Sequence, residues 1–458
     1  MDWVADVRLT DGPLYWAAWV LGSAAGVFLV WPPRAGRSDN PGPINRRPIN
    51  RGPFAGRLLG RRRWFLSVAA ALAAAAAVIL LVHWILIYWT SAFPEELPLE
   101  VLAWAFAGVA ALLLVALRFP SRLWRRRVLD VVALLAVLFL AAVQINAYFG
   151  LNRTVADLTG TALTRIPALE QELMRQPGSP ATPLAGWKAA NGLRADGVLR
   201  TASIPGTVSG IQTRNSYIYL PPAYFAANRP SLPVLVLVPG QPGGPADWLT
   251  GGSLRPRMDS FAAQHGGVAP VVVVVDPNGS QSANNLCMDS AIAKADTYLS
   301  VDVPAWISAT LDVDPDHRQW AVGGFSFGAT CAVQLGARHP EVYTGVLAFS
   351  SESEPALAKE RQKTVDAAFH GDTAAFDAEV PLTVLKERQY PGSVAYFAAG
   401  ATDPEFVGNL RTLEAAARAA GFTVGSDVVP HTGHSWDVLT PGMANGLALL
   451  ATHWGWAQ

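Results

Sequence analysis

Ser326 stands between Gly324 and Gly328 in AVGGFSFGATCAV, residues 321–333. A serine hydroxyl attacks carbonyl carbon only when a base takes its proton and a third group orients that base. A serine framed by glycines is the pattern of a strand–turn–helix elbow, where the turn is too tight for flanking side chains. The chemistry such an elbow performs is acyl transfer through an ester of the serine. The competing reading is a structural Gly-Ser-Gly turn in a chain with 40 glycines.

Downstream histidines supply the base. His339 falls at the end of the helix after the serine, His370 in a charged excursion and His453 in the last helix. HTGHSW, after the last strand pattern, holds His431 and His434. His434 is favoured because it adjoins the final helix after a flexible Thr-Gly; His431 is the alternative. The acid is expected after the strand SVAYFAAG, where ATDPEFV offers Asp403 and Glu405. Asp403 comes first and precedes a turn-fixing proline, whereas Glu405 suits the next helix N-terminus. Glu352 and Glu354, in SSESEP, stay open as acids. An oxyanion needs two backbone N–H donors. Phe327 follows the nucleophile, and Gln241 lies in the loop GQPGGPADW, where Pro242 has no N–H to give.

These residues need a sheet to hold them. PVLVLVP and VAPVVVVVD are continuous apolar runs, as strands buried on both faces should be. GVLRTASI and NSYIYLP alternate like edge or hairpin strands. From about residue 295, helical and strand patterns alternate: ADTYLSVDVPAWISATL, RQWAVGG, FGATCAVQLGARHP, YTGVLAFS, then SVAYFAAG, EFVGNLRTLEAAARAAGF, TVGSDVVP and a closing helix. Such alternation predicts a mostly parallel sheet with helices on both faces. Residues 197–458 form this expected catalytic domain. Residues 151–196 read as a connector, with helical spacing in LTGTALTRIPALEQELMRQ and breakers in PGSPATPLAGW.

SYIYLPPAYFA, PVLVLVPGQPGGPADW, GGFSFGATCAVQLGARHPEVYTGVLAFSS and TGHSW together resemble the esterase D and antigen 85 mycolyltransferase-type α/β-hydrolases. The resemblance covers roughly residues 197–455. It implies an α/β-hydrolase fold, a serine triad, and acyl transfer to water or a sugar hydroxyl. Carried over by position, it makes Ser326 the nucleophile, His434 the base and Asp403 the acid, as in the esterase branch. The mycolyltransferase acid is instead a glutamate. The membrane region departs from the secreted pattern and resembles actinobacterial membrane-anchored esterases.

Residues 1–150 differ in kind. The chain is 51% apolar and 15% charged, and its first 150 residues contain no lysine. Four runs are long enough to span a bilayer, which takes about 20 helical residues: Leu14–Trp31, Trp64–Trp89, Leu99–Leu117 and Val128–Phe149. The acidic start (Asp2, Asp6, Asp11) disfavours a cleaved leader. Loops 34–63 and 118–127 carry nine and five arginines, while SAFPEELPLE between them is acidic. Positive loops stay inside, so both termini and the catalytic domain are expected outside. His83 reads as the exceptional ionisable group of the spans, near an end with access to the interface, and Gln144 and Asn146 lie near another end.

Cys287 and Cys331 fall in the outward domain, an oxidising setting that favours a disulfide over two buried thiols. Zero net charge gives no nucleic-acid footprint. The chemistry implied needs no cofactor or metal. The expectation is an N-terminal four-helix transmembrane region followed by an α/β-hydrolase domain. It would act in the cell envelope on lipid or glycolipid esters, with an aminoacyl phospholipid as alternative substrate. The non-catalytic alternative is a scaffold of hydrolase fold. The aromatics of FSF suggest an apolar acyl site or ordinary packing, and no feature addresses the oligomeric state.

Overall fold

The computed structural model describes residues 3–32, 53–119, 124–176, 182–189 and 192–456. Most of the first arginine-rich loop, part of the second and part of the connector lie outside them. The chain divides into two compact units: Val7–Tyr148, and Phe149–Gln458 together with Met1–Asp6. The residues expected to connect the domains thus belong to the second unit.

The first unit holds helices α1 (Gly12–Val30), α2 (Pro53–Trp84, running on as a π-turn to Trp89), α3 (Leu99–Arg118) and α4 (Trp124–Phe149). Each carries a stretch long and apolar enough to cross a membrane. Small residues permit their contacts: a Cβ on Gly22 would stand 2.6 Å from Leu140 Cβ. His83 Nε2 lies 2.6 Å from Glu96 Oε2, so its partner is the acidic loop. His83 is also not the only ionisable group within the helices. Asp130, in α4, is fully buried and accepts a 2.8 Å hydrogen bond from Arg118 Nε. Arg118 Nη1 donates in turn to the carbonyls of Leu29 and Trp31. A buried acid persists when its charge is paired and further hydrogen bonds hold the partner.

The second unit is built on eight strands: β1 (Val198–Ala202), β2 (Ser216–Leu220), β3 (Val234–Val238), β4 (Val271–Val274), β5 (Trp320–Phe325), β6 (Gly345–Phe349), β7 (Val394–Gly400) and β8 (Thr423–Val429). They lie in the order β1-β2-β4-β3-β5-β6-β7-β8. β2 is antiparallel to both β1 and β4, and every other pairing is parallel. Helices follow as α5 (Val155–Thr159), α6 (Leu254–Gln264), α7 (Ala295–Thr297), α8 (Val303–Thr310), α9 (Phe327–Arg338), α10 (Arg361–Phe369), α11 (Thr373–Glu379), α12 (Pro381–Glu387), α13 (Pro404–Ala419) and α14 (Leu439–His453). Alternate side chains of β3 explain the two faces. Val234, Val236 and Val238 belong to the core that also holds Ile307 of α8, Leu335 of α9 and Leu410 of α13. Leu235 and Leu237 belong to the core on the other face, with Met258 of α6 and Leu447 of α14.

One local expectation changes, and one helix was not anticipated. The helical spacing of 158–176 yields only the end of α5 and one 3-10 turn, Gln171–Leu173. Gly160, at φ +68°, ends α5 in the left-handed conformation. Pro167 and Leu169 then exchange backbone hydrogen bonds with Thr201 on the open edge of β1, each 2.9 Å. An unpaired strand edge competes well for backbone that proline has already barred from helix. Conversely, LRPRMDSFAAQ forms α6 despite Pro256, which sits in the first turn where its missing N–H is harmless.

Candidate active site

β5 ends at Phe325 and α9 begins at Phe327, leaving Ser326 alone in the turn. Its backbone takes φ +56°, ψ −122°, a conformation costly for a residue with a side chain. The surroundings fix it. Ser326 N donates to Phe349 O at 2.8 Å, and Ser326 O accepts from Ala329 and Thr330. The glycines are steric necessities: a Cβ on Gly324 would lie 2.1 Å from Gly328 C, and one on Gly328 would lie 2.1 Å from Val238 O.

His434 follows β8, and its Nε2 lies 2.9 Å from Ser326 Oγ. The imidazole is held between Phe406 and Phe325, with ring centroids 4.2 and 5.2 Å away. Its loop is tied to the end of β7, where Thr402 N donates to Thr432 O. Gly400 allows that approach, since a Cβ there would meet Thr432 O and Gly433 O at 2.3 Å. Asp403 sits at the N-cap of α13. Its Oδ1 accepts from Phe406 N at 3.4 Å, and its Oδ2 lies 3.5 Å from His434 Nδ1. The second distance is in ion-pair range and looser than a formed hydrogen bond of about 3 Å, as is common before substrate binds.

The other candidates lie elsewhere. His431 and Glu405 are exposed. Glu354 pairs with Arg361 at 2.8 Å. Glu352 is fastened to Thr330, whose Oγ1 accepts from the Glu352 N–H at 3.1 Å and lies 3.5 Å from its carboxylate. Phe325 and Phe327 are both buried, one in each core cluster, so they pack the two faces at the elbow.

Phe327 is the first residue of α9, so its N–H has no acceptor within the helix and points with the positive dipole end. The loop after β3 passes beside the nucleophile: a Cβ on Gly240 would lie 3.7 Å from Ser326 Cβ. Gln241, joined to Pro242 by a cis peptide, anchors its side chain on Ser282 O at 3.0 Å. Gly243 N donates to Gln281 O, and Gly244 N to Asp247 Oδ2 at 2.8 Å. Burial pushes the Asp247 carboxyl up, against the lowering effect of that amide.

Sequence reasoning missed the brace of this loop. Arg214 Nη2 donates to Gly243 O at 2.9 Å, while its Nε donates to Asp276 Oδ2 at 2.8 Å. Asp276 is fully buried after β4 and also accepts from the Asn278 and Gly279 amides. Burial pushes its carboxyl up, but the hydrogen bonds and charge of Arg214 prevail and hold it below its ordinary range. An acid directly after VVVVV was the available signal. The same segment reaches α9 through a disulfide between Cys287 and Cys331, whose Cα atoms are 5.4 Å apart.

A family model described as "Putative esterase" matches residues 211–440, which include Ser326, Asp403 and His434. An uncharacterised protein of Corynebacterium glutamicum is 39% identical over 272 residues, covering 57% of this chain and 63% of that protein. The chain therefore spans less than two thirds of that relative's length. Similar solved structures include a ferulic acid esterase (TM-score 0.48, 20% identity, 57% of this chain and 99% of that one). Others are an S-formylglutathione hydrolase from Agrobacterium tumefaciens (0.48, 16%, 57% and 96%) and MPT51 of Mycobacterium tuberculosis (0.43, 20%, 56% and 98%). With a family match over half its length, the chain belongs to the Esterase family, and its mostly parallel eight-stranded sheet with helices on both faces has the α/β-hydrolase arrangement.

Proposed function

We propose that this chain is a membrane-anchored, extracytoplasmic enzyme that cleaves or transfers the acyl group of envelope lipid or glycolipid esters through Ser326, His434 and Asp403. The observation that carries the reading is the 2.9 Å approach of His434 Nε2 to Ser326 Oγ on a strained elbow. In the first half-reaction, Ser326 Oγ bonds to the ester carbonyl carbon and His434 takes its proton. The carbonyl oxygen becomes an oxyanion held by the Phe327 and Gln241 amides. On collapse the alkoxide leaves with the proton from His434, and the acyl group remains on Ser326. In the second, His434 deprotonates water or an alcohol, which takes the acyl group and restores the serine. Asp403 orients the imidazole and stabilises its charged form.

The lipid assignment is supported by the four candidate spans. Tethering a site beside a bilayer raises the effective concentration of substrates that reside there. Fluorophosphonate labelling of the full-length protein, followed by peptide mapping, tests the nucleophile. Label is expected on the Ser326 peptide and absent from Ser326→Ala. No label on folded wild-type protein would favour a non-catalytic scaffold. Incubation with envelope lipid extracts, comparing free acid with transesterified product, then separates hydrolysis from transfer.

A further inference from the structure

Beside β1 lies a cavity of about 400 Å³ lined by four arginines, Arg165, Arg194, Arg200 and Arg255. Asp157 is the acid among the lining residues, and its carboxylate is already engaged. Asp157 Oδ2 accepts from Arg153 N, Thr154 N and Thr154 Oγ1, closing the N-terminus of α5. Asp157 is thus committed within its own turn, and what the cavity offers an anion is set by what else the arginines hold.

Three of the guanidiniums have partners that position them. Arg200 Nε holds Glu170 at 2.5 Å and its Nη1 holds Leu199 O. Arg255 Nε reaches Asp259 at 3.3 Å, a carboxylate fixed by Tyr219 OH and Gly197 N. Arg194 Nε donates to Asp196 O while its guanidinium lies 4.6 Å over the Phe225 ring. Within the described residues, Arg194 and Arg255 use Nε alone for protein acceptors. A guanidinium has five N–H donors in a fixed fork, so anchoring one edge presents the other. Arg200 and Arg255 are thus ion-paired with Glu170 and Asp259, and the donors open to a ligand are the outer N–H groups of Arg194 and Arg255. Leu163, Ile166 and Leu249 supply apolar wall. A cavity of this size falls within the range of small-molecule sites and exceeds a bare phosphate.

We propose that this cavity binds a phosphate ester, with the arginines clasping the phosphate oxygens and the apolar wall receiving the group it is attached to. A soluble phosphorylated molecule and a phospholipid headgroup present the same chemistry. The inference does not rest on the assignment of the catalytic residues.

The test uses full-length protein in non-ionic detergent micelles and calorimetric titration with inorganic phosphate, glycerol 1-phosphate and dihexanoyl phosphatidylglycerol. Wild type should bind glycerol 1-phosphate or the short-chain lipid more tightly than inorganic phosphate, and more weakly as salt rises. Tighter binding of the glycerol phosphate identifies a soluble ligand class; tighter binding of the lipid identifies a headgroup. Arg200→Gln/Arg255→Gln should weaken binding by about tenfold or more, the scale expected when charge-assisted hydrogen bonds are lost. Arg194→Gln/Arg255→Gln leaves the Arg200–Glu170 pair intact and serves if the first variant misfolds. Circular dichroism and melting temperature check that each variant is folded. No heat with any of the three probes, or unchanged affinity in folded variants, overturns the proposal.

Discussion

Asp403 has two partners, one for each carboxylate oxygen. Oδ1 caps α13 at Phe406 N, and Oδ2 faces His434 Nδ1. Asp403→Asn separates the two roles, because asparagine caps a helix about as well as aspartate but offers the imidazole no charge. The expected result is a nearly unchanged melting temperature with kcat down by about 10⁴, the scale of losing the orienting carboxylate in a serine triad. Glu405→Gln and Glu352→Gln should stay close to wild type. If Glu352→Gln collapses turnover and Asp403→Asn does not, Glu352 is the acid. This is also where the sequence was least explicit. Ser326 was legible because a strand, two glycines and a helix surround it, and His434 because it follows the last strand. Four carboxylates follow two adjacent strands, and only the three-dimensional path of the loop from Gly400 to Phe406 puts one of them beside an imidazole 31 residues away.

The loop after β3 is an element that could not position an amide by itself, being rich in glycine and proline. Arg214 and Asp276 supply what it lacks, linking Gly243 to the end of β4. Arg214→Met keeps much of the packing volume and removes the brace. Turnover should fall about 10- to 100-fold, mostly in kcat, since a displaced oxyanion donor is felt in the transition state. The brace is also acid-sensitive. Asp276 titrates below its ordinary value in the folded protein. Its contribution is therefore present above about pH 4, the unfolded carboxylate value, and lost as pH falls through the lowered one. The melting-temperature gap between wild type and Arg214→Met should be widest near neutrality and close in acid; a pH-independent gap would sink the linkage. At this scale the strands were readable because apolar runs and alternation announce them. The 158–176 segment was misread because its spacing fits a helix while Gly160, Pro167 and the open edge of β1 decide otherwise. Arg214 was passed over because a lone arginine in a polar loop looks like ordinary surface until its buried partner is seen.

For the whole molecule, the question is which side of a membrane the Esterase-family unit occupies. Two separate features of the chain bear on it. The loops flanking the second span differ sharply in charge: residues 34–63 hold nine arginines, while SAFPEELPLE holds three glutamates. Basic loops are retained in the cytoplasm, and the rule counts arginine and lysine rather than net charge. With four spans, an inward first loop puts both ends of the chain outside. A disulfide between Cys287 and Cys331 supports the same expectation, because cytosolic thiols are kept reduced. Protease added to intact cells should therefore remove the hydrolase unit and leave the span region in the membrane, and a cytosolic marker protein should survive as proof of integrity. Full protection of the unit until the cells are opened would reverse the orientation. Replacing Arg122, Arg125, Arg126 and Arg127 with neutral residues, with Arg118 left on Asp130, weakens one of the two basic anchors, so partial protection should appear in that variant if arginine sets the orientation. Digestion as complete as in wild type would mean that the longer, nine-arginine loop fixes it alone. Either result assigns the orientation to particular charges, and with it the compartment that Ser326 faces.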